Sequence, residues 1–265
     1  MNKLKKLLDI LINIIYSIVI FALIFIIILI LKTDIVKNIY DDILISTLEK
    51  SLLEYNISEN NKFNYLYYDS DISNSEKENI ENVLESLEHF QNEFIENKLR
   101  VVVSRNKVYM TTKLLFKNLA KFETDDKTNV SGIYCPDYKL IILDVYDLDT
   151  VYNLVKKDAV FISDILDISR ELNASTLLHE IGHFLDDINE NKLVLDKSFV
   201  DTYINEKDIL FDESEEYYKS TIEEYVAESI SRVLMINLGL IDDSELLNSD
   251  TYAVINEYLN QFSIN

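Results

Sequence analysis

Apolar and polar positions alternate along this chain with three different rhythms, and each predicts a different kind of element. From Ile10 to Leu31 the sequence is almost continuously apolar, broken by Asn13 and Ser17 but by no charge. At about 1.5 Å per residue such a helix is about 33 Å long, enough to cross a hydrocarbon layer of about 30 Å. Helix is the expected form, because backbone groups in lipid must pair within the segment. A cleaved signal peptide is the competing reading, but its apolar region would be about 7–15 residues long and would end in a small-residue site. Leu31-Lys32-Thr33-Asp34 supplies no such site. The reading is therefore a single retained anchor, residues 1–32 being cytoplasmic tip and transmembrane helix. Lys3, Lys5 and Lys6 precede the run and place the N terminus in the cytoplasm.

Beyond the anchor the rhythm shortens. Residues 33–62 read as a juxtamembrane stalk, with Ile35, Ile39, Ile43, Ile45 and Leu48 at partly helical spacing before the polar stretch Asn56 to Lys62. Phe63 to Tyr68 is short and aromatic, as a strand would be. Ser73-Asn74-Ser75-Glu76 has the form of a capping box, and Ile80, Val83, Leu84, Leu87, Phe90 and Phe94 follow on one helical face. Leu99 to Val103 is β-branched and predicts a strand, and the segments 131–135 and 139–143 flank Pro136-Asp137 as a hairpin would. An apolar patch at Leu114-Leu115-Phe116 stands alone in the mixed stretch 105–129, and helix is expected to dominate from about Thr150. The globular part, residues 63–265, thus opens as strand, helix, strand.

Composition narrows the class. Hydrophobic residues make up 48 % and charged residues 27 % of 265 residues, an ordinary balance for a folded chain. Three glycines and one proline favour helix, and the single Cys135 excludes an intramolecular disulfide. The formal charge is −22, and because residues 1–32 are net positive, the body carries more than all of it. Such a body is repelled by phosphates, which argues against a nucleic-acid partner. The Lys-, Ile- and Asn-rich composition points to a bacterial source.

Chemistry concentrates in one motif. His179-Glu180-Ile181-Gly182-His183 is an H-E-x-x-H sequence, and two of the three histidines of the chain fall in it. On a helix, residues i and i+4 lie on one face, so both imidazoles can reach one ion. Zn²⁺ accepts such nitrogens and keeps an open position for water in catalytic sites, while a carboxylate beside it can serve as base. A third ligand is expected from Thr221 to Ser229, where Glu224 and Glu228 share a face and Ala227 and Ser229 are small enough for close packing. Position 189 is Asn, so a third histidine six residues after the motif is absent. His89, the remaining histidine, reads as a surface or boundary residue. Cys135 reads as structural, since the motif histidines are better used as ligands than as a base for a thiol. Asp186 and Asp187 either orient a ligand histidine from outside or cap the helix end.

These residues resemble a known family, the metallopeptidase domain shared by anthrax lethal factor and the secreted Pro-Pro endopeptidases. The likeness runs through His179 to Asp187, with its Gly and acidic pair, and through Glu223-Glu224-Tyr225-Val226-Ala227-Glu228-Ser229. The resemblance implies that Glu224 binds zinc, that Glu228 stands behind the ligands, and that Tyr217, seven residues before Glu224, stabilises the transition state; Asp187 is the candidate on the zinc helix itself for the position behind a ligand. The implied architecture is α+β and zincin-like: a small mixed sheet, an H-E-x-x-H helix and a helical C-terminal part, preceded by one transmembrane helix. The chain lacks tryptophan, so a preference resting on an indole in the substrate groove would not carry over.

The expectation is a membrane-anchored, extracellular zinc metalloendopeptidase, a monomer with one Zn²⁺ per chain. It would act on a protein or peptide laid along the edge of the 131–143 hairpin. Its ligands would be His179, His183 and Glu224, with Glu180 as general base and Tyr217 on the oxyanion. The alternative is a surface-anchored binding or adhesion module whose zinc site is structural or vestigial. A membrane-embedded protease is excluded by the charges throughout residues 171–195.

Overall fold

The parallel strands at the centre of a mixed sheet follow from two apolar runs that are buried on both faces. The computed structural model describes residues 58–59, 62–105, 132–145, 162–190 and 192–264, with isolated helical positions at 16, 19–21, 23–25, 46 and 50. The chain divides into two units, Met1–Lys50 and Ser51–Asn265, and the sheet, the packed helices and the site all belong to the second. Strand β1 (Ser58–Glu59) pairs antiparallel with β2 (Leu66–Tyr68). Helices α1 (Asn74–Ser86) and α2 (Gln91–Glu96) then cross over to β3 (Arg100–Ser104), which lies parallel to β2 with Leu66 opposite Val101. Strands β4 (Gly132–Cys135) and β5 (Leu140–Asp144) form an antiparallel hairpin, and β5 runs parallel to β3 with Arg100 opposite Leu140. The order is β1-β2-β3-β5-β4, with β4 at one edge. Val101, Val102 and Val103 are fully buried, as are Leu140, Ile141 and Ile142, which is why both strands read as unbroken apolar runs.

Local signals account for most element ends. Ser73 caps α1 by accepting from the Glu76 amide, while the Glu76 carboxylate accepts from the Ser73 amide at 2.8 Å. The single helix expected from Ser73 to Phe94 is two, separated by a 3₁₀ turn at Glu88–Phe90. The Gln91 side chain donates to the Leu84 carbonyl at 3.0 Å, adding to the Leu87 amide that this carbonyl already accepts at the helix end. His89 sits in that turn, exposed, with its ring 3.9 Å from that of Phe90. The β4–β5 turn at Pro136–Tyr138 closes through Lys139, whose φ of 47° is left-handed.

The C-terminal half is helical: α3 (Ile162–Ile188), α4 (Lys192–Leu195), α5 (Lys197–Leu210), α6 (Glu216–Ser220), α7 (Ile222–Asn237), α8 (Ser244–Leu247) and α9 (Asp250–Asn260). Helices α3 and α7 approach closely because residue 182 is glycine. A Cβ there would lie 2.6 Å from the Ala227 carbonyl oxygen, closer than any side chain could be accommodated without backbone movement. Phe184 of α3 packs edge-on against Phe94 and Tyr134, joining the helix to α2 and to the hairpin. Behind α7, Tyr225 and Thr251 share a buried hydrogen bond of 2.7 Å, and the Glu206 carboxylate accepts from the Asp250 and Thr251 amides at 2.9 Å. These contacts tie α5, α7 and α9 into one body.

The expected class, an α+β zincin-like fold led by a transmembrane helix, requires correction. The described residues are mostly helical with a small mixed sheet, and no helix among them is long and apolar enough to cross a membrane. A span needs about 20 predominantly apolar residues in succession. Helix α3 has the length, with 27 residues, but Asp164, Asp167, Arg170, Glu171, Glu180, Asp186 and Asp187 interrupt it. The membrane as a partner, and the single-pass placement with a cytoplasmic N terminus and an extracellular catalytic domain, are corrected on the same finding. Most of the run Ile10–Leu31 and of the stalk 33–62 lies outside the described residues, as do all of 106–131 and 146–161.

Candidate metal centre

His179 and His183 stand one turn apart on the same face of α3, their rings 4.9 Å apart and nearly perpendicular. Glu224 meets them from the first turn of α7, a helix capped by Thr221, whose hydroxyl accepts from the Glu224 amide at 3.3 Å. Oε2 of Glu224 lies 3.2 Å from Nε2 of His179 and 3.6 Å from Nε2 of His183. One ligand atom from each of the three residues falls within 4.8 Å of the others, so the triad could hold a metal ion. A tetrahedral zinc ion with bonds of about 2.0–2.1 Å spaces its ligand atoms about 3.3 Å apart. The separations from Glu224 bracket that figure, and two imidazoles with one carboxylate are a donor set that zinc accepts.

Glu228, one turn beyond Glu224, approaches the other edge of His179, with Oε2 3.0 Å from Nδ1. A carboxylate there fixes the ring and the tautomer that leaves Nε2 facing the triad. The His179 imidazole is raised to about 10: burial acts against the charge, but its hydrogen bonds to Glu224 and Glu228 and the nearby Glu180 carboxylate outweigh it. Glu224 is lowered to about 2, burial again opposing, because His179 and His183 hydrogen-bond to it. A proton and a cation therefore compete for the same place between the same groups.

Glu180 is 3 % exposed, and Gly132 of β4 is the reason it fits. A Cβ at position 132 would come within 2.5 Å of the Glu180 Oε1. Gly132 is a site residue that the sequence pattern did not single out. The available signal was a glycine heading a predicted strand in a chain with only three glycines. Cys135, at the other end of β4, is buried, and its thiol is pushed up to about 12, first by burial and then by the charges of Glu180 and Asp137. Both effects favour the protonated thiol, the poorly nucleophilic form.

Tyr217, on α6, is 42 % exposed, and its phenol lies within electrostatic reach of Glu224 and Glu180. Burial, followed by the charges of Glu224 and Glu180, raises the phenol well above its ordinary range, so it remains a donor. The neighbouring Tyr218 lays its ring 5.5 Å from that of His179, a contact that was not foreseen. Asp187 does not join the centre. It accepts from the Tyr134 hydroxyl and the Lys139 ammonium and so ties α3 to the hairpin. Asp186 accepts from the Leu193 amide at 3.0 Å and holds the start of α4, and burial raises its carboxyl. Of the two acidic sets considered for the outer position on a histidine, the one on α7 occupies it.

Compared with known proteins, the chain matches no family model and no curated protein. The convergence of His179, His183 and Glu224, with Glu228 behind and Glu180 beside, is therefore what a functional reading has to rest on.

Proposed function

We propose that the chain is a zinc metalloendopeptidase of the kind its motifs resemble. The observation that carries this reading is the buried carboxylate of Glu180 beside two imidazoles and the Glu224 carboxylate, whose separations are zinc-like. His179, His183 and Glu224 would hold the ion. Zinc, when bound, would supply a Lewis acid that polarises a peptide carbonyl and acidifies water.

The remaining steps belong to the chain's own residues. Glu180 takes one proton from the attacking water as the water oxygen bonds to the carbonyl carbon, and returns that proton to the amine as the C–N bond breaks. The Tyr217 hydroxyl donates to the developing oxyanion, a charge absent from the ground state. Glu228 keeps the His179 ring from turning.

The test is cleavage of a diverse peptide library by the zinc-loaded chain beside its Glu180→Gln variant. The variant should retain zinc at one per chain and lose about 10²–10⁴ in kcat. Equal cleavage by both would remove Glu180 from the chemistry. Zinc binding with no cleavage by the unsubstituted chain would favour a binding module instead.

A further inference from the structure

Arg232, one turn beyond Glu228 on α7, is bound on every side. Its Nε donates to Glu228 Oε1 at 3.1 Å, the oxygen not used on His179. Its Nη2 pairs with Glu215, and its Nη1 reaches the Leu210 carbonyl at 3.4 Å and the Asp243 carboxylate at 3.5 Å. The guanidinium also lies over the Phe211 ring, 4.4 Å from its centroid. The arginine is thus fixed from four segments, and the Glu228 carboxylate is fixed by the arginine.

Glu228 is 5 % exposed but borders open space on one side. A cavity of about 540 Å³ opens beside it, lined by Ser175, Tyr218, Met235 and the 241–245 segment together with Glu215, Glu228 and Arg232. A carboxylate next to that space has room to turn away from His179 into water, where it would be better solvated. A planar guanidinium holding the second oxygen removes that freedom, which a point charge on a flexible stem does less well.

We propose that Arg232 is the positioning residue of the metal centre, holding the Glu228 carboxylate against the Nδ1 edge of His179. The inference rests on the metal-centre reading above and goes beyond the motifs that suggested it.

Zinc affinity, measured by competition with a chromophoric chelator, and the visible spectrum of the cobalt-loaded full chain provide the test. Arg232→Met should weaken zinc binding about 10- to 100-fold and alter the cobalt bands, as losing an outer partner of a ligand histidine does. Glu228→Gln should cost a similar factor. In the Glu228→Gln background, adding Arg232→Met should change affinity by no more than about twofold, because the arginine acts through that carboxylate. Arg232→Lys should recover part of the loss, and it carries the same cycle if the methionine variant does not fold. Unchanged affinity in Arg232→Met, or fully additive losses in the double variant, would overturn the assignment and leave Arg232 a general support of the fold. Failure of the unsubstituted chain to bind zinc would instead overturn the metal centre itself, and this inference with it.

Discussion

Glu224 faces His179 and His183 at 3.2 and 3.6 Å, and its charge helps keep the nearby Tyr217 phenol protonated and able to donate. This sets what Tyr217→Phe should do. The phenol would meet the substrate oxygen only once charge has developed there, so kcat should fall by roughly 10²–10³ with KM changed far less. Zinc affinity should change little, since Tyr217 is not one of the three converging residues. Steady-state kinetics on a cleaved peptide check this, and a KM effect with kcat intact would recast Tyr217 as a binding residue. Single side chains were also where sequence reasoning was most uneven. His179, Glu180 and His183 were legible because a helix relates i and i+4 by local geometry alone. Glu228 and Asp187 were both expected behind the ligands, yet the structure puts Glu228 on His179 and Asp187 on Tyr134 and Lys139. Nothing local separates two carboxylates on different helices.

The crossing of α3 and α7 brings the two motifs together, and it depends on Gly182 against Ala227. Gly182→Ala places a methyl against backbone, which cannot swing aside as a side chain tip could. The helices must part, at a cost of about 1–3 kcal/mol, the range for overpacked cores. A lowered Tm together with weaker zinc binding is the expected result, because separation of the helices also separates Glu224 from the histidines. A Tm drop with zinc affinity intact would show that the helix ends adjust independently of the crossing. Several elements were readable beforehand for simple reasons. The capping box at Ser73 and Glu76, the strand at Arg100–Ser104 and the hairpin around Pro136 are all short-range patterns. The interruption after Ser86 was not readable, because Leu87, Phe90 and Phe94 keep a helical apolar spacing across it and are all fully buried.

For the molecule as a whole, the competition between proton and ion at His179 links stability to pH. His179 is raised above its ordinary 6.5, so in the metal-free chain its contribution is fully present below about pH 6.5 and is lost as pH rises through about 10. Glu224 is lowered from 4.5, so its contribution is present above about pH 4.5 and is lost as pH falls through about 2. Zinc requires His179 without the proton that the metal-free site retains. The rise in Tm produced by a fixed zinc concentration should therefore grow between about pH 6.5 and pH 9, reaching about 4 kcal/mol of added stability at a thousandfold excess over Kd. Thermal unfolding with zinc and with chelator across that range measures it. An increment that does not change with pH would mean that the ion displaces no proton there.

What could be read along the chain was whatever neighbouring residues settle among themselves: the helix bearing His179 and His183, the cap of α1, and the β-branched strands. The hydropathy of Ile10–Leu31 was read in the same way, as a membrane span, but among the described residues no helix is long and apolar enough to cross one. Which strand lies at the sheet edge, which carboxylate turns to His179, and why Gly132 must lack a side chain beside Glu180 all depend on residues distant in sequence. Arg232 is the clearest case. On a helix wheel it is an ordinary charged position, and its hold on Glu228 emerges only once the segments bearing Leu210, Glu215 and Asp243 close around it. Spacing along one helix is set by 3.6 residues per turn, whereas the approach of two helices is set by how closely their surfaces fit.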